Sequence, residues 1–272
     1  MTGVQTCALP ICYFIVPVHN KEFMIGDVYS GIRNSLTTDA TYKIIFIIDG
    51  CTDNSEAIVK SFDDTNVVIL HADDLHEILC LNKGLEYIRD KLNPEKGDLI
   101  FTVQDDVILD QQQIDRTFNE LFTQMPDLGY VSMRLGVSIG LTGDTIFEHN
   151  YIESEFGHWK QLNLNHYREV RFGTLTFTDI AIRSPTCMLW DRYEEAGFYD
   201  ENLAPCGYDC HDMSIRMHKL GYKNAVIGLN YISEVDWGGM RMNPESKINS
   251  RFGEIYERNR RYIAMKHRDY FV

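Results

Sequence analysis

Apolar positions in the first half of the chain follow two alternating patterns. Tyr13-Phe-Ile-Val-Pro-Val18, Tyr42-Lys-Ile-Ile-Phe-Ile-Ile48, residues 66–70 and residues 98–103 form short, nearly continuous apolar runs. Runs of that length suit strands buried on both faces. Between them the spacing changes. A helix is predicted within 23–36, and another from about Asp53, where Asp53, Asn54 and Ser55 are all candidate caps. Ile78, Leu81, Leu85, Ile88 and Leu92 recur at spacings of 3, 4, 3 and 4, which draws one apolar stripe along a helix. Ile114, Phe118, Leu121 and Phe122 mark a further helix. Strand and helix alternating in this way predict an α/β fold with a mostly parallel central sheet and helices on both faces.

After about Gly136 the pattern changes. Residues 136–180 are rich in Gly, Thr, Asn and aromatics without a helical period, and read as short strands and loops able to shape an acceptor site. Helical patterning returns at 187–196 and 209–220. A last strand is expected near 222–227 and a charged amphipathic helix at roughly 246–267. No repeat or linker interrupts the chain, so one domain is expected. The leading Met1-Thr-Gly-Val-Gln-Thr-Cys-Ala-Leu-Pro-Ile11 has no periodicity. It resembles the read-through translation of a sequencing adapter joined to a truncated gene, and is set aside from fold reasoning.

Composition narrows the function. With 272 residues, 44% hydrophobic and 24% charged, the chain can build a core without disulfide staples. The formal net charge of -14 repels phosphate backbones and argues against nucleic acid as a partner. Contact with an anionic membrane would fall to a local cluster near the C-terminus, Arg258, Arg260, Arg261, Lys266, His267 and Arg268. Seven cysteines without CxxC or Cys/His spacing fit reduced thiols, so a cytoplasmic protein is expected; the basic cluster reads first as a solvated helix face and, as the alternative, as a peripheral contact with the inner face of the membrane. No apolar run is long enough to span a bilayer.

Open parallel sheets bind ligands at the carboxyl ends of their strands. Three such ends carry polar groups: Val18-His19-Asn20, Asp49-Gly50-Cys51-Thr52-Asp53 and Gln104-Asp105-Asp106. None is a Gly-rich phosphate loop, which argues against a dinucleotide or P-loop enzyme. Asp105 and Asp106 read as the tip of a buried strand, where neighbouring side chains point to opposite sides. One carboxylate can then hold a hard divalent cation while the other holds a ribose hydroxyl or a metal-bound water. Mg²⁺ or Mn²⁺ suits oxygen ligands completed by substrate phosphate.

Together these segments resemble the family 2 glycosyltransferases of the GT-A fold. Pro17-Val18-His19-Asn20 is similar to the family's P-x-[YH]-N, and Asp49-Gly50-Cys51-Thr52-Asp53-Asn54-Ser55 to its D-G-S-T-D-x-[ST]. Leu81-Asn82-Lys83-Gly84-Leu85 resembles [AR]-N-x-G-L, and Val103-Gln104-Asp105-Asp106 falls where its D-x-D-D motif lies. Asp209-Cys210-His211-Asp212-Met213-Ser214-Ile215-Arg216, followed by Leu220-Gly221-Tyr222, resembles E-D-x-D-L-x-x-R…x-G-Y. The resemblance implies a nucleotide-binding half at 12–135, an acceptor half at 136–245 and a C-terminal helix at 246–272.

It also implies roles. Pro17, His19, Asn20, Asp49 and Gln104 would line the nucleotide-sugar site, with Asn82 and Lys83 near it on a helix whose stripe is first of all core. Asp105 would sit on the metal with Asp106 beside it, between metal and donor. Two positions depart from the family: Val103 replaces the first metal-motif Asp, and Cys210 stands where the usual catalytic Asp falls. Asp209 is then the expected base, with Asp212 as a second catalytic candidate and His211 as another acceptor of protons near neutrality. In Ser233-Glu-Val-Asp-Trp-Gly-Gly-Met-Arg241, Trp237 can stack on a sugar or pack as core, and Arg241 can clamp diphosphate as a planar fork. Arg183 faces acceptor or diphosphate, or serves its loop.

The implied reaction is inverting transfer of a sugar from a nucleoside-diphosphate donor to a glycan or lipid-linked saccharide. A degenerate protein that binds nucleotide sugar without transferring it is the alternative that Val103 and Cys210 leave open.

Overall fold

The computed structural model describes residues 9–133, 135–138, 150–154, 157–161, 175–233 and 249–270. The first half runs β1 (Cys12–Val18), α1 (Ile25–Ser35), β2 (Tyr42–Asp49), α2 (Ser55–Lys60), β3 (Val67–Ala72), α3 (His76–Tyr87), β4 (Leu99–Thr102), β5 (Val107–Leu109) and α4 (Ile114–Gln124). The second half adds β6 (Leu128–Ser132), β7 (Leu135–Ser138), β8 (Asn150–Ser154), β9 (Gly157–Gln161), β10 (Leu175–Thr178), β11 (Ile180–Ile182) and β12 (Thr186–Leu189). It closes with α5 (Trp190–Ala196), α6 (Asp209–Lys219), β13 (Lys223–Ile227), β14 (Tyr231–Ser233) and α7 (Phe252–Lys266).

Eight strands form one sheet in the order β10–β13–β6–β12–β4–β1–β2–β3. Only β10 and β12 run against the rest, so the sheet is mostly parallel. β1 lies between β2 and β4, with Cys12 level with Tyr42 and Leu99. The carboxyl ends of β1, β2 and β4 therefore open on the same edge. Smaller sheets, β11–β7–β9–β8 and β14–β5, accompany the main one.

Both faces of the sheet are covered. Alternate residues of a strand point to opposite sides, so one unbroken apolar run feeds two cores. Phe14, Phe46 and Phe101 pack under α1 and α4 with Ile25, Val28, Ile32 and Phe118. Tyr13, Ile15, Ile45 and Ile100 pack on the other face with Ile78, Leu81 and Leu85 of α3, Met213 and Met217 of α6, and Ile263 of α7. The α3 stripe at 3- and 4-residue spacing is thus a core stripe.

Most predicted elements of the first half are found within a residue or two of their expected ends. The expected helix at 187–196 is corrected: Thr186–Leu189 is the strand β12, paired antiparallel with both β4 and β6, and the helix starts only at Trp190. A four-residue apolar run buried on both sides carries no period that separates strand from helix. β6 was not anticipated. In the 136–180 stretch the described parts are strands, as expected. Residues 1–8 lie outside the described residues, while Ile11 already joins the sheet edge: its N–H donates to Asp98 Oδ1 at 2.8 Å and its carbonyl accepts from Leu99.

Gly84 fixes how closely α3 sits on β1. A Cβ there would lie 2.6 Å from Ile15 Cγ2, a branched methyl with no room to retreat. Gly84→Ala should cost about 1–3 kcal/mol by overpacking. Gly26→Ala in α1 meets nothing within 4 Å and should gain about 0.5 kcal/mol instead. Urea denaturation of the two variants checks the contrast. Equal effects would contradict the packing account.

Candidate active site

The loops after β1 and β2 are laced together by their own short polar side chains. Asn20, at φ 51°, turns its Oδ1 to accept from the Thr52 N–H at 2.8 Å. The Lys21 N–H donates to Ser55 Oγ at 2.7 Å and the Glu22 N–H to Asp53 Oδ2 at 2.9 Å. Glu22 in return accepts from both the backbone and side-chain nitrogens of Asn54. The motif residues 49–55 therefore first build a rigid floor. Gly50, at φ +60° and beside Asp74, is a turn that side chains rarely adopt.

Asp49 lies 4% exposed in that floor. Its two oxygens accept from the N–H groups of Leu75 and His76 at 2.7 and 2.8 Å, at the start of α3. His19 Nδ1 lies 2.6 Å from the Asp49 carbonyl and donates to it. That leaves Nε2 as an acceptor, with Asn20 Nδ2 at 3.3 Å. The Cys80 thiol also hydrogen-bonds this carboxylate, so of its roughly four lone-pair sites one is left for a ligand. Pro17 sits half-buried in β1 opposite Ile47.

β4 stops at Thr102, so Asp105 and Asp106 do not end the strand as expected but lie in the turn beyond it. Freed from strand alternation, they need not point to opposite sides. Asp105 Oδ2 accepts from the His19 N–H at 2.9 Å, and Oδ1 lies 3.5 Å from Lys21 Nζ. Asp106 is 2% exposed. Burial pushes the Asp105 carboxyl up to about 6; Lys21 pulls it down, and Asp106 and Glu77 push it further up. Two neighbouring carboxylates in one turn are hard oxygen donors of the kind that suit Mg²⁺ or Mn²⁺, with phosphate oxygens completing the shell. Val103 is 1% exposed and packs in the apolar layer with α1, so this position supplies packing rather than a ligand. Asp49, Asp74 and His76 also bring one potential ligand atom each within 4.8 Å of one another. There both Asp49 oxygens already serve backbone N–H groups.

Arg183 joins the first half of the chain to the second. Its side chain is 6% exposed, with Nη2 at 2.9 Å from Glu77 Oε2 and Nη1 at 2.5 Å from Asp209 Oδ2. Burial works against the guanidinium charge, but Asp209 and Glu77 outweigh it and keep the group protonated. Gln104 completes the set: its Nε2 donates to Glu77 Oε1 at 2.7 Å and its N–H to Ser184 Oγ at 3.0 Å. Gln104 thus ties the acidic turn to the Arg183 cluster.

Asp209, Cys210 and Asp212 are all buried at the start of α6. Asp209 is 3% exposed, and its Oδ2 is engaged by Arg183. Burial pushes the Cys210 thiol far up, so it adds no base near neutrality. Burial lowers His211 to about 4, which keeps it neutral there. Asp212 is the most heavily paired acid of the segment. It is 0% exposed, with Arg216 Nε at 2.8 Å, Lys266 Nζ at 2.7 Å and His267 Nε2 at 2.7 Å. Burial raises its carboxyl, but His267, Arg216 and Lys266 hold it below the usual carboxylate range. It joins α6 to α7.

Asn82 likewise serves the fold. Its Nδ2 donates to the Tyr199 carbonyl at 2.8 Å and its Oδ1 accepts from the Tyr199 N–H at 2.9 Å. Lys83 is half-buried and makes no ion pair among the described residues. Trp237 and Arg241 lie outside the described residues. Five members of the C-terminal basic cluster have partners within the chain: Arg258 binds the Ala204 carbonyl, Arg260 and Arg261 bind Glu257, Lys266 binds Asp200 and Asp212, and His267 binds Asp212. No helix among the described residues is long and apolar enough to cross a membrane. The sequence reading missed Glu77 and Lys21. Only Lys21 carried a local signal, as a cation directly after Pro17-Val18-His19-Asn20.

A mostly parallel sheet with acids gathered at its carboxyl edge agrees with the GT-A fold expected from the motifs. A solved structure described as GalNAc-T7 with UDP, GalNAc and Mn²⁺ matches 81% of this chain at TM-score 0.59 and 12% identity. The chain spans 42% of that protein's length. In sequence, residues 13–192 match glycosyl transferase family 2, and the chain belongs to that family. No curated protein matches it in sequence.

Proposed function

We propose that this chain transfers a sugar from a nucleoside-diphosphate donor to an acceptor hydroxyl on a glycan or lipid-linked saccharide. The observation that carries the reading is the acidic turn after β4, with Asp106 2% exposed and Asp105 beside Lys21, next to the laced floor around Asp49. Asp49 and His19 hold the nucleotide, and Asp105 and Asp106 hold Mg²⁺ or Mn²⁺. When bound, the ion neutralises the charge that builds on the departing diphosphate. Asp209, released from Arg183, takes the proton of the acceptor hydroxyl as its oxygen bonds to the anomeric carbon. The bond from that carbon to the diphosphate breaks, and the nucleoside diphosphate leaves. A single displacement of this kind inverts the anomeric centre.

The Arg183–Asp209 pair and the Cys210 thiol favour a second reading, a protein that binds nucleotide sugar without transferring it. Incubation with several nucleotide sugars, Mn²⁺ and a broad acceptor panel separates the two by release of nucleoside diphosphate. Transfer predicts release that Asp209→Asn lowers by about a hundredfold or more with donor binding intact. Tight donor binding without release supports the binder. Full turnover in Asp209→Asn removes this residue from the mechanism.

A further inference from the structure

The family match ends at residue 192, yet Asp209 is presented by a segment that α7 holds in place. Leu203 to Gly207 runs directly into the first turn of α6. Asn259 of α7 is 0% exposed, and its Nδ2 lies 2.8, 2.9 and 3.0 Å from the carbonyls of Leu203, Cys206 and Gly207. One amide nitrogen thus gathers three carbonyls of a single turn. Its Oδ1 accepts from Arg258, whose Nη2 also donates to the Ala204 carbonyl. Gly207, at φ +92°, lets the turn close on the Tyr256 ring: a Cβ there would meet Tyr256 Cε2 at 2.6 Å. On the far side of Asp209, Asp212 is held by Lys266 and His267 from the end of the same helix. The turn before Asp209 and the acid after it are therefore both fixed by α7.

We propose that Asn259 is a positioning residue for glycosyl transfer: through these three carbonyls it sets the first turn of α6 so that Asp209 meets Arg183. The inference rests on Asp209 as the base in the function proposed above. Displacing a reacting group by about 1 Å can cost on the order of a hundredfold in rate. Donor binding belongs to the loops after β1, β2 and β4, which Asn259 does not touch.

The test compares the full chain with Asn259→Ala. Turnover is scaled to the number of chains that bind UDP in calorimetry. The expected result is a kcat lower by about tenfold or more with UDP affinity unchanged within about twofold. Hydrogen exchange should quicken at 203–212 and stay unchanged at 49–54. A kcat unchanged per UDP-binding chain overturns the proposal, as does a parallel loss of affinity and exchange protection at both segments. If the wild-type chain shows no turnover, the transfer reading fails by itself, and the exchange pattern still decides whether Asn259 holds the Asp209 turn. If Asn259→Ala does not fold, Arg258→Met at the exposed neighbouring position should lower kcat in the same direction by about twofold to threefold. No change in that variant then overturns the proposal.

Discussion

Asp105→Asn should make the protein more stable and nearly inactive at once. The wild-type carboxyl is raised to about 6 by burial. A carboxyl raised on folding contributes stability that is complete below its ordinary value and is lost as pH rises through about 6. Above that pH the ionised group costs the fold free energy, and a neutral amide of the same shape removes the cost. After the weak Lys21 pair is lost, a gain of roughly 1–2 kcal/mol remains at pH 8 without metal. The His19 N–H can still donate to the amide oxygen. Mn²⁺ affinity should fall by about tenfold or more, and sugar transfer by about a hundredfold or more. Thermal unfolding at pH 5 and pH 8, beside turnover, checks both halves. In the wild type the metal-free protein should lose stability between those two values, and in the variant this loss should shrink. A variant that is less stable and fully active would contradict the account.

Arg183→Met carries the largest structural penalty. The guanidinium stands between Glu77 and Asp209, and removing it leaves the buried Asp209 and the half-buried Glu77 without their shared cation. Breaking a buried ion pair from one side costs about 3–5 kcal/mol. Adding Glu77→Gln and Asp209→Asn to the same chain should return most of that stability, because the uncompensated charge is gone. It should return no activity, since the proposed base is gone too. Urea denaturation of the single and triple variants reads the first effect and nucleoside diphosphate release the second. A single variant as stable as wild type would mean that Arg183 is not the partner of these acids.

The parts of the molecule legible in the sequence are those where one segment contains its own reason. β1, β2 and β4 bury both faces, so their apolar runs mark them directly. The polar groups after each strand mark the edge where a ligand binds, and the helical stripe from Ile78 to Ile88 announces its own buried side. β12 escaped because its four residues are buried on both sides and show no period. The sequence puts Asp105 and Asp106 at the tip of a strand and the structure has them in the turn beyond it, since nothing in Gln104-Asp105-Asp106 tells where hydrogen bonding to β1 stops.

The Arg183 cluster is different in kind. Glu77 and Arg183 are 106 residues apart in the sequence and Arg183 and Asp209 are 26 apart, and only the fold brings their charges together. Asp212 shows both cases in one residue. Its partner Arg216 lies one helical turn away and can be read locally. Lys266 and His267 reach it from the end of α7, and they make it the join between two helices.

The central claim is that Asp105 and Asp106 hold a divalent ion against the diphosphate of a sugar donor. Anomalous scattering from Mn²⁺ in crystals grown with an unhydrolysed nucleotide sugar tests it most directly. The account predicts one manganese peak between these two carboxylates and the diphosphate oxygens, with the base lodged over Asp49. A peak at Asp49, Asp74 and His76 instead, or a bound donor with no manganese beside Asp105 and Asp106, would contradict it.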